Sequence, residues 1–120
     1  MRRLGELEAA VMDVLWRAEE PLKVRDVLER LDTGRDLAYT TVMTVLDNLH
    51  RKDWVTRERD GKAYRYLPTE SRAEAAANSL REVLDGSGDP EAVLLHFTKS
   101  VTDSESALLR KALRRKSPHR

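Results

Sequence analysis

The chain has no cysteine among its 120 residues, which excludes disulfides, thiolate metal sites and a cysteine nucleophile. Aromatics are scarce, at 5%, so any core must be built mainly from aliphatic side chains. No stretch approaches the roughly 18 uninterrupted apolar residues of a membrane span. The opening "MRRLGELEAAVMDVLW" brings in acids too early for the apolar region of a signal peptide. The three histidines, His50, His96 and His119, are scattered, and none sits in a metal-ligand pattern or beside a spaced carboxylate. The five glycines lie in turns or near the N-terminus and form no phosphate loop. The expectation is a cytoplasmic protein that is not an enzyme, needs no cofactor or metal, and has no membrane partner.

What the chain does have is charge. Asp, Glu, Lys and Arg make up 36% of it, against 40% hydrophobic residues, which suits a helical protein of one domain, or one domain with an appendage. The net charge of +1 does not by itself indicate a nucleic-acid partner. Local distribution says more: residues 51 to 65 carry Arg51, Lys52, Arg57, Arg59, Lys62 and Arg65 against Asp53, Glu58 and Asp60, and the tail "LRKALRRKSPHR" is basic. Charge runs of this kind are often no more than a solvated face.

Apolar periodicity predicts a first helix over about Leu4 to Ala18, with Leu7, Val11, Val14, Leu15 and Ala18 on one face, interrupted before Pro21. A short second helix follows over about Val24 to Leu31, and "DTGRD" reads as a loop. A third helix runs from near Asp36 or Ala38 to about Lys52. Its start is ambiguous, because Leu37, Ala38 and Tyr39 are poor caps. In "AYTTVMTVLDNL", Val42, Val45, Leu46 and Leu49 form one buried stripe, while Thr40, Thr44 and Arg51 point the other way with Thr41 and Met43 on the flanks.

The period then changes. "WVTRERDGKAYRYLP" has Asp60-Gly61 at its centre, a hairpin signal. Folding about that dipeptide predicts the pairs Arg59 with Lys62, Arg57 with Tyr64, Val55 with Tyr66 and Trp54 with Leu67, placing a cationic pair at the tip. Trp54 and Tyr66 are expected in the core at the hairpin base. Three helices followed by a charged hairpin is the order of a winged helix-turn-helix.

After Pro68 the chain is helical again. Ala73, Ala76, Ala77, Leu80, Val83 and Leu84 mark a helix ending at "DGSGDP". Asp89 and Pro90 open a second, with Val93, Leu94, Phe97 and Val101 as its stripe. "TDSE" is a capping box for a third, carrying Leu108, Leu109, Ala112 and Leu113. Such a small segment is marginal by itself, and its apolar faces predict packing against a second copy. The fold expected is therefore mainly α with a small β-hairpin: a winged helix-turn-helix over 1–68, and a C-terminal three-helix dimerisation region with a basic tail over 69–120. Leu80, Leu84, Val93, Leu94, Phe97, Val101, Leu108 and Leu109 are the expected dimer contacts.

The third helix admits two readings. Its outer face is either merely tolerated, or it enters the major groove of DNA. Threonine can donate or accept at base edges, its methyl packs on the thymine methyl, and methionine adds apolar contact. The position between a short helix and a cationic hairpin favours the second. The hairpin tip likewise either holds phosphates or discourages edge pairing with another strand. The expected DNA-facing set is Tyr39, Thr40, Thr41, Met43, Thr44, Arg51, Arg59, Lys62 and Arg65. Asp47 does not fit beside phosphate, and either turns away or pairs with Arg51 at i, i+4. A winged-helix protein-interaction module that binds no DNA is the alternative.

"LGELEAAVMDVLW", "LAYTTVMTVLDNLHRKDWVTRERDGKAYRYLP" and "AVLLHF" together resemble the penicillinase repressor family of bacterial transcription regulators, over about residues 4 to 113. The resemblance implies a homodimeric repressor on double-stranded DNA, a palindromic operator, with base contacts from Thr40, Thr41, Met43 and Thr44 and a wing carrying Arg59 and Lys62. In several members a membrane-bound β-lactam sensor triggers proteolysis in the dimerisation part. The matching bond here is His96–Phe97, where many members have Asn before the Phe; the resemblance thus adds a sensor-linked protease as a partner. Copper-responsive members carry a C-terminal cysteine-rich motif that this chain lacks.

Overall fold

The computed structural model describes residues 4–33 and 36–116. Gly34 and Arg35 of the expected loop, and His119 in the tail, lie outside them. The element order is α1 (Glu6–Arg17), α2 (Val24–Arg30), α3 (Tyr39–Arg51), β1 (Val55–Asp60), β2 (Ala63–Pro68), α4 (Arg72–Asp85), α5 (Pro90–Thr98) and α6 (Asp103–Lys116). The chain divides into two compact units, residues 1–79 and 80–120. The sequence pattern places the division at 68, and the difference has a local cause. Ala75, in the first turn of α4, is buried in the core of the first unit.

The first unit is a winged helix. Val11, Met12 and Leu15 of α1, Val24 and Val27 of α2, and Val42, Leu46 and Leu49 of α3 meet at its centre. Trp54, Val55 and Tyr66 close it from the hairpin, so Trp54 and Tyr66 belong to the core. Helix ends follow local chemistry. Glu8 reaches back to the Gly5 N–H at 2.8 Å and Asp26 to the Lys23 N–H at 3.1 Å, which satisfies donors that a helix start leaves open. Ala38 offers α3 no side-chain acceptor, and α3 begins at Tyr39. At the other end of α3, Asp53 takes φ 66°. Its N–H donates to the His50 carbonyl at 3.1 Å and that of Trp54 to the Leu49 carbonyl at 2.9 Å, the Schellman arrangement.

The hairpin register differs from the expected one by two residues. Asp60 pairs with Ala63, Arg59 with Tyr64, Arg57 with Tyr66 and Val55 with Pro68, so the turn is Gly61-Lys62. Only Gly61, at φ 66°, takes a positive φ in this turn. A turn centred on Asp60-Gly61 would have put a residue with a Cβ in the left-handed region, whereas Gly61 in the first central position confines it to glycine. The expected Arg59–Lys62 pair therefore does not form. Because the shift is even, every side chain keeps its face. Leu22 adds a third strand contact, exchanging backbone hydrogen bonds with Tyr66 at 2.9 and 2.7 Å.

The start of α4 is fixed on the first unit. Ser71 and Glu74 form a reciprocal cap, with bonds of 2.8 and 3.1 Å, which S-x-x-E announces although apolar period alone does not. Arg72 pairs with Asp13 and lies over the Trp16 ring, 5.0 Å from its centroid. The second unit comprises the end of α4 with α5 and α6. Asp89 accepts from the Ala92 N–H at 3.2 Å, and Thr102 and Glu105 cap α6 reciprocally at 2.9 and 3.1 Å, as their sequence patterns predict. Among the described residues, α5 and α6 bury none of their side chains. Leu80, Val93, Leu94, Phe97, Leu108 and Leu109 are all exposed, while Leu84 and Val101 are half-buried.

Candidate nucleic-acid interface

Helix α3 sorts its residues by chemistry. Val42, Leu46 and Leu49 are fully buried, while Tyr39, Thr40, Thr41, Met43 and Thr44 are exposed on its first two turns. The Thr44 hydroxyl donates to the Thr40 carbonyl at 2.9 Å, which leaves its oxygen able to accept and its methyl able to pack. Arg51, the last residue of α3, donates to Asn48 at 2.7 Å.

Between the start of α2, the outer side of α3 and the hairpin runs a groove of about 800 Å³. Tyr39 and Met43 line it from α3, Lys62 and Tyr64 from the hairpin, and Lys23 and Arg25 from α2 and its cap. The structure therefore brings Tyr39, Met43 and Lys62 of the expected set to one groove. Arg59 of the hairpin donates to the Tyr64 hydroxyl at 3.3 Å. Arg65 goes elsewhere: its Nε donates to Asp60 at 2.8 Å, and Lys23 approaches the same carboxylate oxygen at 3.6 Å. The hydrogen bond and charge of Arg65, followed by the Lys23 ammonium, hold the Asp60 carboxyl below the usual carboxylate value.

Asp47 neither turns away nor pairs with Arg51. It accepts from Arg57 of β1 at 3.3 Å, and the Arg57 guanidinium stacks over Tyr64 at 4.2 Å from the ring centroid. Burial pushes the Tyr66 hydroxyl up, with Arg57 opposing and Asp47 reinforcing the shift. The sequence pattern places Asp47 on this side of α3 and Arg57 beside Tyr64 in the hairpin, but it misses the Asp47–Arg57 pairing and the approach of Lys23. With Gly61 as the first turn residue, Arg59 lies opposite Tyr64 and Arg57 opposite Tyr66.

Among the described residues, no cluster of three or more His, Cys, Asp or Glu could hold a metal ion, and no helix is long and apolar enough to cross a membrane. The second unit holds the expected cleavage bond, His96–Phe97, inside the last turn of α5.

Residues 4–115 match the family model described as penicillinase repressor. A relative described as transcriptional regulator BlaI, from two Mycobacterium tuberculosis strains, is 47% identical over 116 residues, covering 94% of this chain and 84% of the relative. The solved DNA-binding domain of the repressor BlaI is similar over 60% of this chain and 87% of its own, with a TM-score of 0.52 at 21% identity. The hsRosR-S1 complex structure is similar over 88% and 95%, with a TM-score of 0.54 at 19% identity. Winged-helix geometry, the threonine-faced α3 and the match along nearly the whole chain agree: the chain belongs to the penicillinase repressor family.

Proposed function

We propose that this chain is a cytoplasmic transcriptional repressor that binds a palindromic DNA operator as a homodimer. One observation carries the reading: α3 is anchored by Val42, Leu46 and Leu49, and its other side presents Thr40, Thr41, Met43 and Thr44 next to a cationic hairpin. The first two turns of α3 enter the major groove, where threonine hydroxyls and methyls and the Met43 thioether meet base edges. Arg59 and Lys62 hold phosphates from the hairpin, Tyr39 and Arg51 flank the helix, and each neutralised phosphate releases counterions. Arg65, engaged with Asp60, contributes to local field more than to direct contact.

The exposed apolar side chains of α4, α5 and α6 meet a second copy. Two recognition helices then reach successive major grooves about 34 Å apart, and linkage of the half-sites supplies an effective concentration that a monomer lacks. A sensor-linked protease acting at His96–Phe97 would release DNA by dividing the dimer region. Because that bond lies within α5, cutting requires the end of the helix to unwind first.

The test is a gel shift on the upstream region of the protein's own gene, with salt titration. A saturable band whose affinity falls steeply with salt is expected. No band at micromolar protein would overturn the reading in favour of a winged-helix adaptor that binds protein alone.

A further inference from the structure

A carboxylate on the outer side of a DNA-reading helix opposes phosphate, and Asp47 is such a carboxylate. It accepts from Arg57 at 3.3 Å, with side chains 46% and 27% exposed respectively. The Arg57 guanidinium lies 4.2 Å from the Tyr64 ring centroid, and that of Arg59 lies 5.5 Å from the same ring. Arg59 also donates to the Tyr64 hydroxyl at 3.3 Å. A continuous chain of contacts thus runs from α3 to the hairpin: Asp47, Arg57, Tyr64, Arg59. Arg57 is also held at its backbone, opposite the buried Tyr66 that bridges to Leu22.

A single ion pair that water still reaches on the Asp47 side adds only about 0–1 kcal/mol to stability, which by itself does not account for a carboxylate at this position. We infer that Asp47 is a positioning residue: through Arg57 and Tyr64 it latches the hairpin to α3 and fixes the Arg59 guanidinium before DNA arrives. The inference rests on the DNA-binding reading above. A latched hairpin is ordered in advance, so binding does not have to order it. The competing role is masking, in which Asp47 merely neutralises Arg57 and weakens its hold on phosphate. The two roles differ in sign.

The test uses the full chain with Asp47→Asn, Asp47→Glu and Tyr64→Leu, the last of which changes no charge. Thermal melting establishes that each variant is folded. Without DNA, amide hydrogen exchange across residues 55–68 is expected to quicken in Asp47→Asn and Tyr64→Leu and to recover in part in Asp47→Glu. With DNA, affinity is expected to fall by about tenfold in both, an ordering cost of one or two side chains, for operator and random DNA alike because the Arg59 contact is to phosphate, while the salt slope holds. Tighter binding of both DNAs by Asp47→Asn, with unchanged binding by Tyr64→Leu, would establish masking and overturn the latch. Unchanged hairpin exchange in both variants would also overturn it, whatever the DNA result. Failure of the wild-type chain to bind any DNA would instead defeat the functional reading, and hairpin exchange alone would then decide the latch.

Discussion

The Glu8 carboxylate of α1 accepts two hydrogen bonds from the Lys52 ammonium at the end of α3, at 2.9 and 2.8 Å, while also accepting from the Gly5 N–H at 2.8 Å. One side chain therefore caps one helix and ties it to the helix that exposes Thr40, Thr41, Met43 and Thr44. Burial pushes the Glu8 carboxyl up, but the Lys52 and Gly5 hydrogen bonds outweigh it and leave it below its ordinary value of 4.5. Asp60, with Arg65 and Lys23, and Glu74, at the Ser71 cap, are lowered too.

A depressed carboxylate contributes stability that is fully present above its unfolded pKa and is lost as pH falls through the folded one. The unfolding free energy is accordingly expected to decline as pH drops below about 4.5. Glu8→Gln should cost about 1–2 kcal/mol near neutral pH, since it leaves the half-buried Lys52 without its counter-charge. It should also shallow the acid decline. Urea unfolding followed by tryptophan fluorescence reads both, because Trp16 and Trp54 lie in the first unit. An acid limb of unchanged steepness in the variant would refute this role for Glu8.

Asp53 is the one described residue other than glycine with a positive φ. Left-handed backbone costs a residue with a Cβ about 1–2 kcal/mol, partly offset on replacement by the greater unfolded-state freedom of glycine. Asp53→Gly is thus expected to stabilise the first unit by about 0.5–1 kcal/mol, and Asp53→Val to destabilise it. Equal urea midpoints for the wild type and the glycine variant would show that no strain is stored there.

These two sites mark what the sequence could reveal. Helices were legible from apolar period and caps, since both act within a few residues. The face of each hairpin residue was legible too, because a slip of two preserves it. The register was not, for it depends on which residue tolerates the left-handed region. Met12, fully buried, escaped the sequence pattern because its neighbours in α1 fit a narrower stripe. Pairings such as Glu8 with Lys52, or Asp47 with Arg57, join residues from different elements. With 22 cations and 21 carboxylates in the chain, local pattern gives no way to choose among partners. The exposed face of α3 was legible because threonine and methionine there serve neither the core nor, for threonine, helix propensity.

If the face of α3 reads bases, its exposed side chains should affect specificity more than stability. Met43→Ala and Thr44→Ala together are expected to cost roughly 1–3 kcal/mol on the operator, the worth of a good base interaction, with little change on random DNA. Competitive gel shifts with operator variants measure this. Unchanged operator affinity in the double variant would remove this face from the interface.

The hairpin should act differently. Arg59 and Lys62 are both exposed at or beside the turn, and phosphate contacts carry no sequence information. Replacing both by Ala is expected to weaken operator and random DNA alike. The slope of log affinity against log salt should fall by roughly 0.9 for each phosphate that is no longer neutralised. A slope equal to that of the wild type would place the phosphate contacts elsewhere.

Phe97 is 55% exposed, on a helix that buries none of its described side chains within the chain. An aromatic so placed in a region with little core of its own gains most from a second copy, where burial is worth about 1.5–3 kcal/mol per side chain. Two copies contribute in a symmetric dimer, so Phe97→Asp should weaken dimerisation by at least about a hundredfold. Analytical ultracentrifugation at micromolar concentration is expected to show monomers. The same variant should retain weak binding to a single half-site, because the first unit keeps its own core. A dimer of wild-type strength would move the interface away from α5, and with it the reason for placing the release mechanism there.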